Sequence, residues 1–561
     1  MARDERDVLL ARAVTGPAPP VHGRMTAAVA EPRDVAWADS PRPTRLLDAR
    51  DVGLMLALMA LALGLRLAYF SGFGLGDDVI YRHFINNILV NHYVLPDNTA
   101  YRVAWWLPTA FACRILGLSE AGMIAPVTIV ATLGIGLLYA FGKALWGRSG
   151  GLIAALLLLV HPLDFAWSTM LASDIFASFF SALTILCLLR ALGHDDVVGK
   201  RRCWMGAAAS LWLTYHAKVS AVLLVPPVLL ICWRRRHRID RRVAAFPATA
   251  GLLFGASALV SYVFTGDPIA PYHAEISYQG LTGETAINFH RLTAYVFWAY
   301  PRAVLLRDQW GDLLFSVYPH LLLALFLVSP LLGIRTSLDV FLWLLFVAVG
   351  MQLNIQRVHG VWVAGFRNVR HIHVLVYPVV LLLAGYLTGL RARFPRVSAA
   401  TIAVLLGVSA WQSVSTATKT HVAFADCRNA CRFLDALPPK TVYADFQINT
   451  WASIVPGWKQ GFHELERFDR AKRRAQIAAI QSGYLVTGGA REPYYGCIDC
   501  IPRAEEVSGT QWRLLKEFPS STAPTGWRPE PLRVWEAVEP GADAPETPEH
   551  TPQQSVDAAR P

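Results

Sequence analysis

The chain has 561 residues, 54% of them hydrophobic and 17% charged, with a formal net charge of +11 and a mean hydropathy of +0.35. A soluble globular protein carries about 25% charged residues, so this composition argues against one. Nor does the basic excess point to nucleic acid, because Lys and Arg fall mostly in short loops between apolar runs, the pattern that orients spans in a membrane.

Residues 1–48, rich in Ala, Arg and Pro without sustained periodicity, read as a disordered cytoplasmic tail. No apolar core of useful length follows the basic start, so the tail is not read as a cleavable signal. A first span from Val52 to about Phe70 serves as an uncleaved anchor. Residues 71–120 contain apolar pieces interrupted by Arg82, His83, Asn86, Asn87, Arg102 and Arg114. They read as an external loop whose amphipathic helices lie in the interface, where Trp105 and Trp106 are suited. Further spans start near Ala121, Gly150, Ile175, Trp204, Val219, Val243, Tyr318, Leu338, His373 and Ser398, about eleven in all. Residues 265–317 form a second external loop, and residues 49–416 make up the membrane domain. Beyond Thr416 come a helix-like stretch, Cys427 to Leu437, and strand-like stretches at Thr441 to Phe446 and Tyr484 to Thr487. Residues 417–538 read as a small extracytoplasmic α/β domain and 539–561 as a disordered tail. The expected fold class is thus an α-helical polytopic membrane protein with a small C-terminal α/β domain.

Orientation follows from the basic loops. Lys143 and Arg148, Lys200 to Arg202, Arg234 to Arg242, and Arg391 to Arg396 can all be inside only if the N-terminus is inside and the C-terminal domain outside. The same assignment puts Asp77, Asp78 and Asp174 outside. Each acid has a plain reading as the cap of a following helix. Their recurrence on one face favours a reaction centre, since neighbouring carboxylates raise one another's pKa and can share proton transfer. Lys218, in Tyr215-His216-Ala217-Lys218, stands between apolar runs. It reads either as a lysine snorkelling to the interface or as the partner of an anion such as phosphate, with His216 nearby. Arg367, Arg370 and His371 precede the span at Val374. They read either as a basic flank or as a grip on lipid phosphate or pyrophosphate, which the planar guanidinium suits. His161 and Asp164 make the loop before Asp174 rich in ionisable groups. With Asp174 and His216 they could gather around a cation, but their spacing is not diagnostic and no metal is assigned.

Taken in order, these landmarks resemble the GT-C superfamily of polytopic glycosyltransferases, in the branch containing protein O-mannosyltransferases and lipid A aminoarabinose transferases. The resemblance runs from about Leu54 to Leu390. It rests on Asp77-Asp78 followed by Tyr81, similar to the family's Asp-Glu-x-x-Tyr after the first span, and on Pro162 with Asp174 leading into Ile175 to Phe180. Lys218 after a Gly/Ala-rich short span and Arg370-His371 before Tyr377-Pro378 complete it. The resemblance implies a polyprenyl-phosphate sugar donor arriving from the membrane, an acceptor from outside, and inversion at the anomeric carbon. It makes Asp77 the base that takes the acceptor's proton, supported by Asp78, with Asp174 positioning a sugar. Lys218 and Arg370 would stabilise the departing lipid phosphate, and Tyr81, Arg102, His161, His216, Arg367 and His371 would line the substrate. Asp78 stands where Glu is commoner in the family, which leaves open how the two acids divide their work.

The cysteines split between spans (Cys113, Cys187, Cys203, Cys232) and the C-terminal domain (Cys427, Cys431, Cys497, Cys500). In an oxidising compartment the second set reads as disulfides. Cys427 and Cys431, one helical turn apart, are poorly placed to pair with each other, and the connectivity stays open. A four-cysteine zinc site is the other reading.

The function expected from the sequence is a membrane glycosyltransferase of a bacterial inner membrane. It would act on a polyprenyl-phosphate-linked sugar and an extracytoplasmic acceptor (glycolipid, polysaccharide or protein), with no nucleic-acid partner and no cofactor assigned. A lipid-linked sugar flippase would call for related halves or matched broken helices, and no internal repeat is evident. An idle scaffold of the same fold would bind donor without transferring it.

Overall fold

The computed structural model describes residues 47–73, 77–90, 98–193, 196–275, 317–334, 336–352, 355–358, 361–364, 369–423, 425–455, 458–466, 469–488, 501–507, 511–519 and 530–538. Residues 1–46 and 539–561 of the tails read as disordered, most of the loop 265–317, Arg367, Cys497 and Cys500 lie outside these residues, while Asp48, placed at the end of the first tail, caps a helix.

Helix α1, Ala49–Ala68, opens on a reciprocal cap in which the Asp48 side chain accepts from the Asp51 amide and Asp51 accepts from the Asp48 amide. Asp51 is also gripped by Arg148 at 2.8 Å, by Lys143 and by the Tyr139 hydroxyl at 2.8 Å. Between α1 and the next long span lie α2, Asp77–Leu89, and α3, Val103–Leu116. Glu120–Leu159 is a helical hairpin, α4, which turns at Trp146 and Gly147. There Gly147 takes φ 73°, and the small residues let the arms touch: a Cβ on Gly142 would lie 2.7 Å from the Gly150 carbonyl. The spans read separately at Ala121 and Gly150 are its two arms. A short α5, Pro162–Trp167, leads to α6, Ser173–Gly193, and α7, Val197–Ala217. After a 3-10 segment, Val219–Leu224, come α8, Val225–Arg234, and α9, Ala245–Thr265. Then follow α10, Tyr318–Leu332, α11, Leu338–Gln352, a hairpin of β1, Ile355–Val358, and β2, Val361–Ala364, and a 3-10 turn, Val369–Leu375. Two long helices, α12, Val376–Arg393, and α13, Pro395–Ala423, end the membrane part.

Among the described residues six helices are long and apolar enough to cross a membrane, and four more apolar helices are 10–17 residues long. The basic clusters meet at one end of the bundle. Arg391 reaches Ser149 beside the Arg148–Asp51 pair, Arg393 reaches the Gly333 carbonyl, Arg234 and Arg235 bind Asp339, and Lys200 binds Asp240. Buried α12 runs along α4, where the Tyr377 hydroxyl fills the space above Gly134. Gly134→Ala therefore sets its methyl against a ring that is itself enclosed. Overpacking of this kind costs about 1–3 kcal/mol, more than the ~1 kcal/mol a helical Ala gains over Gly. A lower thermal midpoint than wild type is expected.

The C-terminal part builds a five-stranded mixed sheet. Its strands are β3, Thr441–Ala444, β4, Gly461–Glu464, β5, Tyr484–Thr487, β6, Trp512–Phe518, and β7, Leu532–Ala537. The order is β4-β3-β5-β7-β6, with β3 parallel to β4 and β5, and β7 antiparallel to β5 and β6. Helices α14, Ala425–Asp435, α15, Phe446–Ile454, and α16, Arg470–Ala479, accompany it. Cys427 and Cys431 are buried on α14. Its core is continuous with that of the membrane part: Trp451, Ile448 and Val442 share one apolar cluster with Phe73, Tyr81, Trp105 and Ile175. Trp105, expected in the interface, is fully buried there, because its ring packs on Tyr81 with centroids 4.5 Å apart.

Candidate functional site

Asp77 and Asp78 are the first two residues of α2, and Asp174 is the second residue of α6. The acids thus sit within first helical turns, where unpaired N–H groups and the helix dipole favour negative charge. Favourable helix ends account for carboxylates at these positions, but not for their burial: Asp78 is 5% exposed and Asp174 1%.

Asp78 and Tyr81, three residues apart, share a face of α2. The Tyr81 hydroxyl accepts from Arg102 Nη1 at 2.6 Å, and the other Arg102 nitrogen reaches Glu275 at 3.5 Å. One residue earlier, the Tyr101 carbonyl accepts from His216 Nδ1 at 3.1 Å, while His216 Nε2 lies 3.0 Å from the Ser257 hydroxyl. Two residues beyond His216, Lys218 adopts extended backbone where α7 gives way to the 3-10 segment, and its ammonium donates to Asp174. A short chain of contacts therefore joins the first acidic site to the second, through Tyr81, Arg102, Tyr101, His216 and Lys218. Both the lysine and its aspartate are nearly enclosed, with side-chain exposures of 11% and 2%.

A second network lies beneath. Arg66 donates to Asp164 at 2.6 Å, with both side chains wholly buried, and to Thr132 at 3.3 Å. His373 Nε2 is 3.2 Å from the other Asp164 oxygen, and its Nδ1 is 2.7 Å from Ser178, one turn along α6 from Asp174. His373 belongs to the 3-10 turn that carries Arg370 and His371, so this network fastens that turn to α6. For Asp77, Arg370 and His371 only the backbone is described. His161 is enclosed against Tyr318, with ring centroids 4.6 Å apart. Among the described residues no group of three or more His, Cys, Asp or Glu is placed to hold a metal ion.

The structure thus brings Tyr81, Arg102, His216, Lys218 and Asp174 together and sets His161 into the packed interior. Arg66, His373, Ser178 and Glu275 were not singled out individually in the sequence. Arg66 carried a usable signal, a lone arginine near the end of an apolar span, where a charge demands a partner.

Residues 102–262 match the dolichyl-phosphate-mannose-protein mannosyltransferase family. The matched stretch includes Arg102, Asp174, His216 and Lys218. No curated protein matches the chain in sequence. Among solved structures, the fold is similar to that of ArnT from Cupriavidus metallidurans bound to undecaprenyl phosphate, at 13% identity and a TM-score of 0.53, covering 87% of this chain and 98% of that one. The apo form of the same protein gives 12% identity and a TM-score of 0.51, covering 87% and 99%. The resemblance to the GT-C glycosyltransferases is therefore met by a family match over residues 102–262, which includes Asp174 and Lys218 but not Asp77-Asp78 or Arg370, and by an ArnT-like fold.

Proposed function

We propose that the chain is a membrane glycosyltransferase that moves a sugar from a polyprenyl phosphate to an acceptor outside the membrane. The single observation that carries this reading is the enclosed Lys218–Asp174 pair, joined by contacts to the face of α2 that bears Asp78. A polyprenyl-phosphate-linked sugar entering from the bilayer presents a phosphodiester anion that competes with Asp174 for the lysine ammonium, and its phosphate gains a second negative charge as the sugar departs. The displaced carboxylate is then available to a sugar hydroxyl. Asp77, supported by Asp78, takes the acceptor's proton as it attacks the anomeric carbon, and the electrons of the breaking C–O bond pass to the lipid phosphate. Lys218 and Arg370 carry that negative charge, so base and cationic support act at opposite ends of one displacement. Attack opposite the leaving group inverts the anomeric centre.

The basic end of the bundle faces the cytoplasm in this reading, which places the acids and the C-terminal domain outside. The family match and the ArnT-like fold support the reading. Its test is the release of undecaprenyl phosphate by purified protein given undecaprenyl-phosphate-linked pentoses and hexoses. Movement of intact lipid-linked sugar across vesicles, with no bond cleaved, would favour a flippase instead.

A further inference from the structure

Three consecutive backbone amides just ahead of the first acidic site are each captured by a residue from elsewhere in the chain. Ser71 N–H donates to the Thr169 hydroxyl at 2.9 Å, Gly72 N–H to the Thr169 carbonyl at 3.1 Å, and Phe73 N–H to Glu120 Oε1 at 2.7 Å. Thr169 is fully buried and lies five residues before Asp174, so it ties the approach to one acidic site to the approach to the other. The bend itself needs glycine, since Gly72 has φ +85° and a Cβ there would lie 2.8 Å from Glu120 Oε1 and 3.1 Å from Arg428 Nη2.

The C-terminal domain closes the arrangement. Trp451 of α15 meets the Phe73 ring edge-on, with centroids 5.5 Å apart, and both side chains are buried. Arg428 of α14 lies 5.1 Å from the Trp451 ring and bonds His421 at the end of α13 at 3.0 Å. Two side-chain oxygens and one carbonyl that fix three successive amides leave a segment few alternative paths, and the cost of ordering it is met before substrate arrives.

We infer that Thr169 and Glu120 are positioning residues for the Asp77–Asp78 site, and that the C-terminal domain completes this clamp through Trp451 and Arg428. The inference rests on the proposed transferase reading for its catalytic consequence, though not for the clamp itself. Thr169→Val removes the hydroxyl acceptor and keeps shape, and Glu120→Leu removes the carboxylate. Thr169→Ser and Glu120→Gln each keep an acceptor oxygen.

The test uses the full chain in lipid nanodiscs, with undecaprenyl-phosphate-linked sugars as donors and hydrogen exchange read at residues 71–73. Thr169→Val and Glu120→Leu are expected to lower kcat roughly 10- to 100-fold, the scale on which misplaced catalytic groups act. KM for the donor stays unchanged, because the lysine side of the site is untouched. Exchange at the freed amides speeds up roughly two- to tenfold. Thr169→Ser and Glu120→Gln stay near wild type in both. Wild-type turnover and exchange in Thr169→Val and Glu120→Leu would overturn the clamp, as would equal losses in the acceptor-keeping variants. If the wild-type chain cleaves none of the donors, the transferase reading fails, and the exchange measurement decides the clamp by itself.

Discussion

Arg66→Met is expected to destabilise the helical bundle by about 3–5 kcal/mol, the cost of leaving one member of a buried ion pair without its partner. Arg66 and Asp164 are both inaccessible to solvent, so neither side chain is hydrated once its partner is gone. Asp164 retains His373 as a neighbour at 3.2 Å, so one polar partner remains. A further change, Asp164→Leu in the Arg66→Met background, removes the stranded charge. It is expected to recover much of the stability, because well-packed apolar groups replace buried ion pairs at little net cost. Unfolding in detergent micelles measures both variants. An Arg66→Met protein that unfolds with wild type would show that water reaches Asp164. The double variant should still turn over poorly, because His373 then loses the carboxylate that fastens the Arg370-bearing turn to α5.

Lys218→Met is expected to cut turnover by roughly 10²–10³-fold, the range found when a group that stabilises charge in a transition state is removed. The variant also leaves Asp174 enclosed without its cation, so a loss of fold has to be separated from a loss of chemistry. Lys218→Met combined with Asp174→Asn makes that separation, since it relieves the stranded carboxylate. The combined variant should unfold nearly as wild type does and remain slow. Recovery of activity together with stability would mean that Lys218 serves only to neutralise Asp174. Lys218→Arg keeps the charge in a longer, planar group and should retain part of the rate.

The features that were legible in the sequence are those carried by local pattern. Apolar runs and basic loops marked the membrane helices and their common basic end, because hydropathy and loop charge are read over short windows. Asp77-Asp78, Asp174 and Lys218 stood out because each is a charge at the edge of an apolar run. Their joining could not be read, since it passes through a backbone carbonyl at Tyr101, and carbonyls carry no sequence signature. Arg66 and Asp164 are 98 residues apart, and only the packing of α1 on α4 and α5 brings them together. Trp105 was placed at the membrane surface because hydropathy cannot tell an interfacial tryptophan from one enclosed by Tyr81. In the C-terminal domain, β3 and β5 were visible as apolar runs. The edge strand β6 was not, because Trp512–Phe518 carries Arg, Lys and Glu and lacks apolar alternation.

The central claim is that an acid at the start of α2 deprotonates an acceptor beside a lipid phosphate held by Lys218. It is tested most directly by undecaprenyl phosphate release from lipid-linked sugar by the wild-type, Asp77→Asn and Asp78→Asn proteins. The account predicts release by wild type and a fall of roughly 10²–10⁴-fold in Asp77→Asn, the contribution of a positioned general base. Asp78→Asn is expected to fall less. A larger fall there would exchange the roles of the two acids, and full release by both variants would contradict the account.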